Sequence, residues 1–226
     1  MTILVLAPHA DDEVLGMGGT IARMRADGRN VVIAILTGHG EEPHPLWSRS
    51  NWVTIRKECV AAAKVLGNCT VMFKELPAAC LDVMPAWQVN RVVAEVLHEV
   101  NPTEVYVPFI HDLHKDHAAI AYAAFVALRP YLESSLNIKR VLAYETLSET
   151  HLFAPYLAPA FQPNVFIDIS TTLEIKIQAM QAYASQIQTD NLPRSENALR
   201  ALAVLRGTHI GSHAAEAFLL LGEYQR

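Results

Sequence analysis

One histidine and three carboxylates stand within five positions near the start of the chain: His9, Asp11, Asp12 and Glu13. Like charges this close repel, and burying any of them unpaired is expensive. A divalent cation removes that cost. His and Asp side chains are both good zinc ligands, and a spacing of three brings His9 and Asp12 to one side of a helical turn. Asp11 then points elsewhere and stays free for proton chemistry. The plainer reading is a solvated helix cap, with Asp11 or Asp12 as N-cap and Glu13 in the first turn. The two are compatible, since one carboxylate can cap while another binds metal.

A second cluster, His111-Asp112-Leu113-His114-Lys115-Asp116-His117, follows a short apolar run. His114 and His117 are three apart, about one helical turn. A lone His at a helix start is usually a cap or a core residue. Two His with an Asp between them, directly after a buried strand, point to function. Taken together the clusters offer His, Asp and His ligands with one position left for water. That is the make-up of a catalytic rather than a structural zinc site. Such a site activates water near neutral pH and polarises a carbonyl.

Regular elements must bring the clusters together. Ile3 to Ala7 is an uninterrupted apolar run stopped by Pro8, and Val14 to Met24 is apolar-periodic, ending at the cap signal Asp27-Gly28. Val31–Leu36, Thr70–Phe73, Val105–Val107, Val141–Tyr144 and Val165–Ile169 read as further strands. Helical stripes lie between and after them: Trp52 to Leu66 capped by Asn51, Val89 to Val100 stopped by Asn101-Pro102, His117 to Leu128, Leu173 to Ile187, and Pro193 to Arg206. Strands alternating with helices predict an α/β fold, a doubly wound, mostly parallel sheet flanked by helices. In such sheets ligands sit beyond the carboxyl ends of strands, where both clusters fall.

Gly16, Gly18 and Gly19 approach a dinucleotide fingerprint, but Ile21 stands where the third glycine belongs and an acidic loop precedes them. A nicotinamide cofactor is not expected. Thr37 to Arg49, with His39, Glu41, Glu42 and His44, leaves the carboxyl end of a strand and reads as a lid bordering the site. Arg56 lies near the N-terminal end of its helix, where it meets an anionic or polyhydroxylated substrate or pairs with a surface carboxylate. His98 lies off its apolar stripe and is expected in solvent. His39, His44, His151, His209 and His213 carry no assigned role.

The 226 residues suit one domain spanning 1–226, and a hydrophobic share of 51% excludes disorder. A net charge of −5 without a basic cluster argues against nucleic acid. No basic n-region precedes the first strand, and the longest apolar run, Ala118 to Leu128, is too short to span a bilayer. Cys59, Cys69 and Cys80 are odd in number and lack C-x-x-C spacing, which suggests reduced thiols and a cytoplasmic protein. Homo-oligomerisation is left open.

At this point the sequence resembles a known family. Pro8-His9-Ala10-Asp11-Asp12-Glu13 is similar to the (P/A)-H-x-D-D-E motif of the PIG-L (LmbE-like) zinc N-deacetylases, and His114-Lys115-Asp116-His117 to their H-x-D-H motif. Arg56-Lys57-Glu58, Asn164 to Ser170, Pro193-Arg194-Ser195 and Gly211 to Phe218 resemble later family blocks, so the likeness covers nearly the whole chain. It implies a Rossmann-like fold and removal of an acetyl group from an N-acetylglucosamine-type sugar or sugar conjugate. By position, His9, Asp12 and His117 would hold Zn2+, with Fe2+ as another divalent candidate. Asp11 would be the general base. His114, positively charged, would steady the oxyanion or assist amine departure, and Asp116 would orient and charge-tune His114. Arg56 matches a substrate-contacting arginine of relatives.

The chain departs from the family in two places. Some members carry a tyrosine where Asp112 stands, and some an Asp where Ala78 stands; Asp82 could replace the latter only through a different loop fold. The loops at Thr37–Arg49, Leu76–Pro85 and Glu145–Leu152 are expected around the sugar ring, and the net charge favours a small conjugate over a polymer. The rival readings are an amidase of the same fold acting on another amide conjugate, a non-catalytic metal- or sugar-binding module, and a metal-dependent phosphohydrolase.

Overall fold

Alternation along a strand decides which core each side chain joins. In β1 (Thr2–Ala7), Ile3, Val5 and Ala7 pack into one hydrophobic cluster and Leu4 and Leu6 into another. Both faces of β1 are therefore covered, which explains an apolar run with no polar alternation. The computed structural model describes residues 1–40 and 44–225. Glu41 and Glu42 of the expected lid lie outside the described residues.

After β1 come α1 (Asp12–Ala26), β2 (Asn30–Gly38), α2 (Arg49–Val65), β3 (Thr70–Pro77), α3 (Ala86–Val100), β4 (Glu104–Pro108) and α4 (Lys115–Ala127). Then follow β5 (Arg140–Tyr144), β6 (Val165–Asp168), α5 (Leu173–Ala182), α6 (Glu196–Thr208) and β7 (Ala215–Glu223). The strands make one seven-stranded sheet in the order β3-β2-β1-β4-β5-β7-β6. The first five run parallel, and β7 pairs antiparallel with β5 and β6. The expected mostly parallel, Rossmann-like α/β sheet with flanking helices is the observed architecture.

The order reverses at β1, which pairs with β2 on one side and β4 on the other. Residues of α1, α2 and α5 cover one face of the sheet, and residues of α3 and α4 cover the other. A crevice opens at the carboxyl ends of β1 and β4, where connections leave in opposite directions. Both chemical clusters sit there.

Some boundaries differ from expectation. α2 begins earlier than its apolar stripe suggests: Ser48 is the N-cap, and Asn51 lies inside the helix, accepting from the Ser48 hydroxyl. The helix expected to reach Ile187 stops at Ala182, because Tyr183 leaves helical geometry at ψ 63. The apolar C-terminal run is the strand β7. Ser195 caps α6, its Oγ accepting from the Ala198 N–H at 3.2 Å.

α1 is kinked at Met17, at φ −151. The kink frees backbone groups, and buried side chains from elsewhere take them up. Glu216 accepts from the N–H groups of Gly19 (3.0 Å) and Thr20 (2.6 Å), and Lys176 donates to the Leu15 carbonyl at 2.9 Å. Lys176 and Glu216 also pair at 2.6 Å. The first turn of α1, which carries the acidic cluster, is thereby tied to α5 and β7.

Candidate functional site

The turn after β1 is pinned from the neighbouring strand. Thr37 at the end of β2 donates to the Pro8 carbonyl from its N–H (3.1 Å) and from its hydroxyl (2.7 Å). The chain then turns through Asp11 at φ 123, a left-handed conformation costly for any residue but glycine. Asp11 stands at the N-cap position of α1 without making a side-chain cap bond. Its N–H is instead taken by Glu13 Oε2 at 3.1 Å, and Glu13 Oε1 accepts from the Tyr183 hydroxyl at 2.6 Å. The Asp11 carboxylate is thus left out of the capping work and lines the crevice.

Asp12 folds back, its Oδ2 accepting from the His9 N–H at 2.8 Å. The same oxygen lies 3.3 Å from His9 Nδ1 and 3.2 Å from His117 Nε2. His9, Asp12 and His117 can each turn one ligand atom to a common point, all three atoms lying within 4.8 Å of one another. His114, Asp116 and His9 form a second such trio, but both Asp116 oxygens are already engaged by other groups.

The outer nitrogens of the two rings are fixed from behind. His117 Nδ1 donates to Asp112 Oδ2 at 2.8 Å, and Asp112 Oδ1 accepts from the Thr150 hydroxyl at 2.6 Å. His9 Nε2 donates to Asp116 Oδ2 at 2.9 Å, and Asp116 is held by the N–H groups of Ala79 (2.6 Å) and Leu81 (3.1 Å). This leaves His117 Nε2 buried without an aligned hydrogen bond. A lone-pair nitrogen and a carboxylate oxygen facing each other across 3.2 Å are two acceptors with nothing between them. A cation satisfies that arrangement.

Charge gives the same answer. Burial opposes a proton on either ring, yet Asp116 and Asp12 raise His9 to about 9, and Asp12 and Asp112 raise His117 to about 10. Asp12 is held far below the ordinary carboxylate range by His117 and His9 against the pull of burial. The carboxylates demand positive charge here, and a divalent cation with neutral imidazoles supplies it. The donor set, the orphaned nitrogen and the charge balance all fit a metal.

Two residues behave differently from the expectation drawn from family likeness. Asp116 bonds His9, while His114 Nδ1 lies 4.0 Å from it; the carboxylate orients His9 rather than His114. His114 is the N-cap of α4, and its Nδ1 accepts from the Asp116 N–H at 3.2 Å. That bond places the ring proton on Nε2. Burial, with the charge of His9 next, pushes His114 down to about 4, so the ring is neutral near pH 7 and not the expected cation.

Asp11 is shifted up by burial and by the adjacent Asp12 charge, and Arg194 opposes the shift. Arg194 Nη1 lies 3.4 Å from Asp11 Oδ2 and 3.3 Å from Gln186 Oε1. Arg194 is the one Lys or Arg lining the cavity among the described residues. Arg56 is not there. Its guanidinium is taken by Glu75 at 2.5 Å and lies over the Phe73 ring, so the expected substrate contact is corrected to a surface pair.

The cavity above these groups measures about 580 Å³. All three expected loops reach it, through Trp47, Ala78 and the pair Ser148 and Glu149. Asp82 is exposed and outside the lining, so it does not replace the missing Asp at Ala78. His44 donates from Nε2 to the Ala78 carbonyl at 2.6 Å and braces two of these loops. Asp112, Thr150, Tyr183 and Arg194 carry geometry that short motifs do not reveal. Only the Asp112 position, five residues before His117, lies close enough in sequence to be suspected.

An α/β sheet with a His/Asp/His trio at its switch point, beside a carboxylate kept out of it, defines a class of metal-site enzymes. Residues 4–128 match the PIG-L family, described as GlcNAc-PI de-N-acetylase, and the chain belongs to that family. It is 26% identical over 220 residues to the diacetylchitobiose deacetylase of Thermococcus kodakarensis, covering 95% of this chain and 80% of that one. It superposes on a conserved protein of Thermus thermophilus with a TM-score of 0.77 at 26% identity, over 99% of this chain and 96% of the other. It also superposes on the 4-carboxy-2-hydroxymuconate hydratase of Pseudomonas putida with a TM-score of 0.72 at 20% identity, over 100% and 98% of the two chains. The fold therefore accommodates more than one reaction, and the site must decide between them. No helix among the described residues is long and apolar enough to cross a membrane.

Proposed function

We propose that residues 1–226 form one metal-dependent N-deacetylase unit, which hydrolyses the acetamido group of an N-acetylglucosamine-type sugar or sugar conjugate. The observation that carries this reading is the orphaned His117 Nε2 facing Asp12, next to an Asp11 carboxylate that neither caps its helix nor joins the trio. Kinship with a diacetylchitobiose deacetylase supports the acetamide over other amides.

His9, Asp12 and His117 would hold the cation, Zn2+ or another such as Fe2+. When bound, it supplies an activated water and a polarised carbonyl. Asp11 takes the proton of the attacking water. The Glu13–Tyr183 brace fixes its backbone, so the carboxylate meets the water without reorganising. His114 Nε2–H donates to the carbonyl oxygen as negative charge develops on it. Because this ring is neutral at rest, Asp11 rather than His114 returns the proton to the leaving amine. Acetate and a primary amine result.

The direct test is a panel of free and conjugated N-acetylhexosamines given to metal-loaded enzyme, with acetate and primary amine both measured. Equal release of the two is expected. Cleavage of other amides without any acetate from the panel would favour the broader amidase, and phosphate-ester cleavage would favour the phosphohydrolase.

Two substitutions probe the surroundings. Asp112→Ala leaves His117 Nδ1 without its acceptor, and metal affinity should fall by about 10–100-fold in a chelator competition. Unchanged affinity would remove Asp112 from the metal site. Arg194→Ala should lower kcat/KM by ~10–100-fold through loss of a charge-assisted hydrogen bond, whereas Arg56→Ala should leave steady-state kinetics near wild type. The reverse ranking would return the substrate contact to Arg56.

A further inference from the structure

One wall of the cavity is aromatic, and the reaction just described does not use it. Trp47 and Trp52 both line the cavity, their rings edge to face with centroids 6.0 Å apart. Trp47 is 41% exposed. A single exposed apolar residue is ordinary on an open surface. This one stands in the same cleft as the metal trio, and it is braced. His44 packs against both indoles, 4.9 Å from the Trp47 ring and 5.8 Å from the Trp52 ring. His44 Nδ1 accepts from the N–H groups of Leu46 (3.1 Å) and Trp47 (3.3 Å), while its Nε2 donates to the Ala78 carbonyl. A histidine fully engaged in this way fixes the Trp47 backbone and so the placement of the wall.

The wall is also polar at its edges. Ser50, Asn51 and Thr54 of α2 line the cavity beside the indoles. Trp52 Nε1 is buried without a hydrogen-bond partner, an unused donor within the same wall. Buried indole N–H groups ordinarily find an acceptor. An aromatic face with hydroxyl and amide groups along its rim suits a saturated ring that has an apolar C–H face and hydroxyls at its perimeter. It suits a purely aromatic ring less well, since such a ring offers the rim nothing to bond.

We propose that Trp47, Trp52 and Asn51 form a second subsite, which binds a pyranose ring attached to the N-acetylated sugar. The proposal rests on the deacetylase reading for the first ring and adds the second. Trp47 supplies the stacking face, Asn51 bonds hydroxyls, and the two-ring substrate fills a cavity larger than one hexosamine requires. Trp47 acts on affinity for the second ring, far from any reacting bond.

Steady-state kinetics on the metal-loaded enzyme separate the outcomes. The substrates are N-acetylglucosamine, a two-ring glycoside of it and its phenyl glycoside. Wild type should prefer the two-ring substrate over the monosaccharide by about tenfold or more in kcat/KM, a typical size for one aromatic contact. Trp47→Ala should collapse that preference through KM, with metal content equal to wild type. Asn51→Ala should weaken the two-ring substrate relative to the phenyl glycoside. No preference in wild type, or a preference that survives Trp47→Ala, overturns the subsite while the deacetylase reading stands. An equal gain from the phenyl glycoside, insensitive to Asn51→Ala, overturns the pyranose and assigns the wall to an aromatic group. A binding measurement covers failure of the underlying reaction. Trp47 and Trp52 fluorescence should be quenched by the deacetylated two-ring amine, against a constant signal from Trp87, which lies outside the cavity lining. Quenching that Trp47→Ala weakens supports the subsite even if no acetate is released. Absence of quenching in wild type counts against it whatever the enzyme hydrolyses.

Discussion

Asp11→Asn is expected to keep the metal and lose turnover, by ~10²–10⁴-fold in kcat, the usual range for removal of a general base. The substitution changes little else. Asn has the same shape, and the backbone N–H that anchors the strained turn still reaches Glu13 Oε2. Asp11 Oδ2 has one cationic neighbour at 3.4 Å, Arg194, and an amide oxygen can still accept from it. What disappears is the capacity to take a proton. Metal analysis and single-turnover kinetics on one preparation decide the matter. If the variant loses metal instead, Asp11 is a ligand and exchanges roles with Asp12. If it keeps both metal and rate, the base lies elsewhere in the cavity, and Glu149, which lines it and whose carboxyl burial pushes up, is the next to change.

Much of this arrangement is legible in the sequence because it is local. An apolar run ending at Pro8 reads as a covered strand, and the residues after it must lie at a carboxyl edge. The spacing of His9 and Asp12 is short enough that a single turn brings them together, and the same holds from Asp112 to His117. What is not legible depends on contacts distant in sequence. Arg194 approaches Asp11 across 183 positions, and Tyr183 reaches Glu13 across 170. No periodicity encodes either. Arg56 misleads for a related reason. Its place near a helix start is correct, but its partner Glu75 sits on β3, and only the pairing of β3 beside β2 shows that the guanidinium is already occupied.

The charge of His114 escapes the motif for an electrostatic reason. A histidine beside an aspartate looks cationic when the pair is taken alone. Here Asp116 commits its oxygens to His9 and to two backbone N–H groups, and the cationic tendency passes to His9. Two charged rings cannot comfortably stand with centroids 4.4 Å apart, so His114 gives up its proton. The motif names the participants, and the hydrogen-bond geometry distributes the charge among them.

His117→Ala should abolish metal binding and with it all measurable turnover, and His9→Ala should do the same. His117 is 1% exposed, so no water replaces the missing nitrogen without a cavity forming between Asp12 and Asp112. Those two carboxylates then face each other without the imidazole that separates them, which also raises the cost of a bound state built from the remaining ligands. Wild-type affinity should carry a pH signature with a definite sign. In the metal-free protein His9 and His117 hold their protons up to about 9 and about 10, above their ordinary value. Both must lose them to bind a cation, so binding releases about two protons per site through the neutral range. Affinity should therefore rise by roughly 100-fold per pH unit from about pH 6 to 8 and level off only above the ring values. Chelator competition across that range, with metal content measured in wild type and in each Ala variant, tests both statements. Full metal content in both ring variants would exclude the trio, and a pH-independent affinity would mean that the cation binds away from these two imidazoles.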